Sequence, residues 1–234
     1  MLLSLDTRGV GRVTVVRCSG RIIAGTEIES LRAHISGMLL ERKEFVLDLA
    51  NVAFIDSSGL GTMVRLLTTT RQQRGDLKLC NVPQLIHKTL KVTNLTSLFD
   101  THESEESAIA AFYQRKTGPD QSAKSGPPIL CIDQNGDVLA YLRAMLRSGG
   151  YEVHTSSSLH DSLILLRVAR PVLLLLGPNL TSTPATRQAF DGACATVPVI
   201  ELGNEFSTLD AGEAASQLPA SIEARLRSKP ALDS

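Results

Sequence analysis

The residues of this chain best suited to chemistry stand together as Asp56-Ser57-Ser58, ahead of Gly59-Leu60-Gly61. An apolar run, Phe45 to Leu49 with Phe54 and Ile55 after it, leads in. Beyond the serines Leu60, Val64 and Leu67 recur at helical spacing, with Met63 and Leu66 widening the face. The stretch therefore reads as the end of a buried strand, a polar turn and the first turn of a helix. Asp and Ser are residue types that satisfy the orphan N–H groups of a helix start. Those N–H groups and the positive end of the helix dipole also favour a phosphate placed there. A serine at this position is thus either a helix cap or a phosphorylation site, and capping is the commoner role for residues of this kind.

Other chemistries fail on spacing. A nucleophile elbow needs G-x-S-x-G, but Ile55 and Asp56 precede Ser57. Gly59-Leu60-Gly61 imitates a dinucleotide loop, yet Val64 stands where the third glycine belongs. His34 and His87 read as ordinary helix residues, and His154 and His160 have no further ligand beside them. Cys18, Cys80, Cys131 and Cys194 are far apart, with no C-x-x-C, and three lie in or beside apolar strand-like runs where a free thiol packs as a small hydrophobe. That pattern favours a reducing compartment over a disulfide framework or a zinc site. The reading assigns no catalytic residue, no metal and no cofactor, and the chain is not read as an enzyme.

The 234 residues carry 24 Lys plus Arg against 24 Asp plus Glu, which leaves no electrostatic footprint for nucleic acid or an anionic membrane. No apolar run is long enough to span a bilayer and no signal peptide is evident, so the expected location is the cytoplasm. The length suits two ordinary domains.

The elements that position the serines follow from period. Residues 1–23 alternate as a hairpin with Gly9 and Gly11 in its loop. Thr26 and Glu29 have the spacing of a capping box for a helix carrying Ile28, Leu31, Ile35, Met38 and Leu39 to about Arg42. After the serine helix, which Gly75 should stop, come a strand over 77–82 and a helix opened by Pro83, with Leu85, Ile86 and Leu90 inward. A last helix spans 104–115.

Phe54-Ile55-Asp56-Ser57-Ser58-Gly59-Leu60-Gly61, after about fifty residues of strand–strand–helix–strand, resembles the signature of the STAS domains of bacterial anti-sigma factor antagonists. The resemblance covers 1–115 and extends to 93–99, which it implies to be a short helix and the entry to a final strand. It implies a mixed sheet with helices and phosphorylation of the serine after the aspartate, here Ser57, with Ser58 as the fallback acceptor. The implied partner is an anti-sigma factor that is also a serine kinase, bound through Asp56, Ser57, Ser58, Gly59, Leu60 and Gly61 when the serine is unmodified; a phosphoserine phosphatase is a second candidate partner. The protein would so regulate sigma-factor-dependent transcription. The alternative is a constitutive scaffold or interaction module in which Ser57 only caps the helix.

Residues 116–127, rich in Gly, Pro and Ser, read as a linker. From 128 to 234 the pattern restarts with apolar strands at 129–133, 151–155, 172–176 and 197–202, helical faces over 138–146 and 159–168, a last helix at 222–226, and a C-terminal tail. Such alternation argues a doubly wound parallel sheet, flavodoxin-like in class. This half resembles the receiver domain of response regulators, but not at the positions that carry the chemistry. Asp133 is followed by Gln134 and Asn135 instead of a second acid, and the third strand ends on Gly177 instead of Asp. A hydroxyl is missing near Gly203, and the lysine expected near a fifth strand is replaced within Leu218-Pro219-Ala220-Ser221, at Ala220. The resemblance is to a pseudo-receiver that accepts no phosphate, with Asp133 capping the next helix and the surface used for docking or homodimerisation.

Overall fold

The computed structural model describes residues 2–114, 126–178, 180–203 and 211–227, the last with side chains from 218 onward. Most of the segment read as a linker, and residues 228–234 of the tail, lie outside these. The chain divides into two compact units, Met1–Arg115 and Lys116–Ser234.

The first unit is built on a five-stranded sheet of order β1-β2-β3-β4-β5, from β1 (Ser4–Val10), β2 (Val13–Ile22), β3 (Glu44–Ile55), β4 (Asp76–Cys80) and β5 (Asp100–His102). Only β1 and β2 are antiparallel; each later pair is parallel, so the sheet is mixed. Alternation along the strands assigns the faces. Phe45, Leu47 and Leu49 of β3 and Leu77 and Leu79 of β4 point to a core shared with α1 (Thr26–Met38), α2 (Ser57–Gln72) and α3 (Gln84–Val92). The other face carries Asp48, Lys78 and Cys80 beneath α4 (Glu105–Gln114). Charge holds α4 there. Arg8 pairs with Glu105, Arg12 donates to the Phe112 carbonyl, and the fully buried Lys78 pairs with Asp100 and lies over the Phe112 ring, 4.9 Å from its centroid.

Local chemistry differs from expectation at several ends. The capping box does not form: Gly25 is the N-cap, Thr26 is already helical, and its hydroxyl donates to Glu27. The first helix ends at Met38, four residues short of Arg42. After α2 the left-handed residue is Arg74, with φ 61°, not Gly75. Gly75 is needed for another reason, since a Cβ there would stand 1.9 Å from the Lys43 carbonyl oxygen. Leu85 is 59 % exposed, while Ile86 and Leu90 of the same helix are buried. Residues 93–98 form turns in place of a short helix.

The second unit holds β6 (Pro128–Ile132), β7 (Glu152–Ser156), β8 (Leu173–Leu176) and β9 (Val199–Glu201) in the order β7-β6-β8-β9, all parallel. Both faces are covered. Ile129, Cys131, Leu173 and Leu175 pack on α5 (Gly136–Ser148) and α8 (Ala211–Arg227). Leu130, Ile132, Leu174 and Leu176 are buried on the opposite side, where α6 (Leu159–Ala169) packs on the sheet and α7 (Pro184–Cys194) packs on α6. Near-continuous apolar strands are what a sheet buried on both faces requires.

Two features depart from the sequence reading. Helix α7 is an addition to it, although Thr183 caps this helix and Pro184 opens it. Residues 218–221, set against the lysine expected near a fifth strand, lie inside α8, with Pro219 in the helix and Leu218 and Ile222 turned to the core. Among the described residues the second sheet therefore has four strands.

Candidate functional site: the amino end of helix α2

Strand β3 delivers the chain to Asp56, whose extended backbone, φ −90° and ψ 178°, ends the strand and starts the helix. Its N–H reaches the Ile22 carbonyl at 3.2 Å, tying the turn to the end of β2. The two carboxylate oxygens do different work. Oδ1 accepts from the Gly59 N–H at 2.7 Å, and Oδ2 accepts from the Ala24 N–H at 2.9 Å, across from the loop before α1. Asp56 is the helix cap and the clasp between two loops. The Ala24 N–H first, then those of Gly59 and Ser58, hold its carboxyl below the usual carboxylate range.

The serines are consequently free of that duty. Ser57 and Ser58 are the first two helical residues, and both side chains are exposed. Of the two roles open to a serine here, capping falls instead to Asp56, one residue earlier. Gly59 and Leu60 turn inward. A Cβ on Gly59 would sit 2.3 Å from the Ile22 carbonyl oxygen, so glycine lets the helix start close against β2. Gly61 faces open space.

Ser57, Gly61 and Arg65 follow at i, i+4 and i+8 and so line one exposed stripe. Helix α2 contains no acidic residue. Beside its start Phe54 is 47 % exposed, an aromatic at the edge of the same turn. Sequence reasoning missed Phe54 as a surface group because it continues the apolar run of β3; the signal available was its place at the open end of the strand. Arg65 could have been found from its spacing to Ser57.

Cys18, Cys80 and Cys131 are buried, and burial pushes each thiol up to about 12. Cys194 is the partly exposed one. No group of three or more His, Cys, Asp or Glu among the described residues could hold a metal ion.

In the second unit Asp133 does not cap α5. Asn135 does, accepting from the Asp137 N–H at 2.9 Å, while Asp133 Oδ1 accepts from the Asn135 N–H at 2.7 Å. Asp133 is 8 % exposed, and its other oxygen occupies the space above Gly177, 2.0 Å from where a Cβ would stand. Gln134 donates to the hydroxyl of Thr181. The residues set against a receiver's acidic pair and phospho-acceptor thus meet at the carboxyl ends of β6 and β8, whereas Ala220 lies on α8.

Residues 4–108 match the STAS domain family. The match spans most of the first unit. Relatives of this unit include BtrV of Bordetella bronchiseptica, whose name describes it as an anti-sigma factor antagonist; it is 26 % identical over 99 residues, 42 % of this chain and 85 % of that protein. The anti-sigma F factor antagonist of Paenibacillus polymyxa is 28 % identical over 111 residues, 47 % of this chain and 94 % of that protein. Among solved structures, phosphorylated SpoIIAA of Bacillus is 22 % identical, covers 47 % of this chain and 99 % of its own, and has a TM-score of 0.40. All three similarities cover less than half of this chain. No helix among the described residues is long and apolar enough to cross a membrane.

Proposed function

We propose that the STAS unit is an anti-sigma factor antagonist that binds an anti-sigma factor with serine-kinase activity through the amino end of α2, and that phosphorylation of Ser57 ends the complex. The observation that carries this reading is the division of labour at the turn. Asp56 takes the Gly59 and Ala24 N–H groups and so fills the cap, leaving the Ser57 side chain exposed at a helix start without the capping role. The names borne by the STAS relatives support the same reading.

The switch is electrostatic. Unmodified, the stripe of Ser57, Gly61 and Arg65 is neutral to basic. A phosphate adds about −1.5 to −2 charges beside the ionised Asp56. The helix dipole tolerates that charge locally, so the fold persists and the change is felt by the partner. Ser58, equally exposed, is the fallback acceptor. Regulation of sigma-factor-dependent transcription in the cytoplasm follows from this role, and a phosphoserine phosphatase would reset it.

The second unit, in this reading, is a receiver-like docking or dimerisation module without phosphoryl chemistry, because the position that would need a nucleophilic carboxylate is Gly177. The test of the whole is a binding comparison with the cognate anti-sigma kinase. Ser57→Ala is expected to bind as the unmodified protein does and Ser57→Asp to bind weakly; equal binding by both overturns the switch.

A further inference from the structure

At the end of the first unit away from Ser57, the β1–β2 hairpin and the carboxyl end of α1 line a half-open cleft of about 340 Å³. The parallel register of β2 on β3 sets this separation, with Val13 beside Glu44 at one end and Ile22 beside Ile55, next to Asp56, at the other. Its walls include Thr7, Gly9, Thr14, Gly37, Glu41 and Arg42. Two features of these walls are unusual together. The half-buried Arg42 lays its guanidinium over Gly9, with the two terminal nitrogens 3.6 and 3.7 Å from where a Cβ would be, and forms no ion pair with any described residue. Glu41, of opposite charge on the same cleft, pairs neither with Arg42 nor with another described residue.

We propose that this cleft binds a small zwitterion, an oxyanion joined to an amine. The guanidinium of Arg42 takes the oxyanion through its planar fork, and Glu41 at the rim takes the ammonium. Adjacent residues of opposite charge that leave each other unpaired match a ligand carrying both charges, and a lone anion would meet Glu41 unfavourably. The shared chemistry has two sources, an amino-acid carboxylate or a phosphoamine. The site is independent of the Ser57 reading.

The test is a titration of the full-length, isotopically labelled protein with L-serine and with phosphoethanolamine at constant ionic strength, followed by amide chemical shifts. Saturable shifts at Gly9 and Gly37 are expected with at least one probe below about 10 mM, a concentration that corresponds to weak but specific binding. Arg42→Gln should weaken binding by about tenfold or more, as should Glu41→Gln. Gly37→Leu should abolish it by filling the cleft, and since a Cβ at Gly37 meets nothing within 4 Å, the fold should persist. Ser57→Ala should bind as the parent does. A response to L-serine alone assigns a carboxylate and a response to phosphoethanolamine alone a phosphate; both support the site. No saturable shift with either probe, or shifts unchanged in Arg42→Gln and Gly37→Leu, would overturn it.

Discussion

Replacing Asp56 by alanine separates the cap from the switch. The substitution removes the acceptor of two backbone N–H groups, Gly59 at 2.7 Å and Ala24 at 2.9 Å. An N-cap of this kind contributes about 0.5–2 kcal/mol, and a hydrogen bond to a charged acceptor about 1.5–3 kcal/mol. Water reaches the site, so the lower end of each range applies, and Asp56→Ala should cost about 2 kcal/mol. Asp56→Asn keeps one good acceptor but turns an amide N–H toward a second N–H, and should lose about half as much. The pH dependence follows from the lowered pKa. The folded carboxyl titrates below its unfolded value of about 3.9. Its stabilisation is therefore complete above that value and fades as pH falls through the folded pKa, so the gap between parent and Asp56→Asn should close in acid. Urea unfolding followed by circular dichroism measures the loss, and amide exchange at Ala24 and Gly59 localises it. Ser57→Ala should lie within about 0.5 kcal/mol of the parent, as surface changes do. A larger loss in Ser57→Ala than in Asp56→Ala would refute the division of roles.

Gly59→Ala should destabilise the first unit, since its Cβ would stand 2.3 Å from the Ile22 carbonyl oxygen, whereas Gly61→Ala, in open space, should raise stability by about 0.5–1 kcal/mol; thermal melts of the pair check this. Thiol titration of the native protein at neutral pH should modify Cys194 ahead of Cys18, Cys80 and Cys131, which should react only after unfolding. Treatment with acetyl phosphate and Mg²⁺ should leave no acyl phosphate on the second unit. Gly177→Asp should not restore it, because the new side chain collides with the Asp133 carboxylate and no second acid or lysine accompanies it; phosphate on the introduced carboxylate, detected by mass spectrometry, would contradict this.

Period carried most of the fold. Alternation in β1 and β2, the apolar 3.6-residue faces of α2 and α5, and the apolar strands of the second unit were legible because each segment buries one definite face or both. Ends were less legible, because tertiary contacts decide them. Thr26 and Glu29 have capping-box spacing, but the chain enters α1 through Gly25 at φ 118°, which places Thr26 inside the helix. Leu85 fits the apolar face of α3 in sequence and yet faces solvent, next to a core already closed by Ile86 and Leu90. The serine turn was visible as a unit, but Asp56 and Ser57 could not be ranked as caps from type alone; the Ala24 N–H that decides for Asp56 comes from 32 residues away.

The central claim rests on one hydroxyl. Incubation of the full-length protein with its anti-sigma kinase and ATP, followed by tandem mass spectrometry and a binding measurement on the separated phosphorylated and unphosphorylated forms, tests it most directly. The account predicts phosphate on Ser57, weakened kinase binding by the phosphorylated form and an unchanged fold. Phosphate on neither Ser57 nor Ser58, or equal affinity of the two forms, would contradict it.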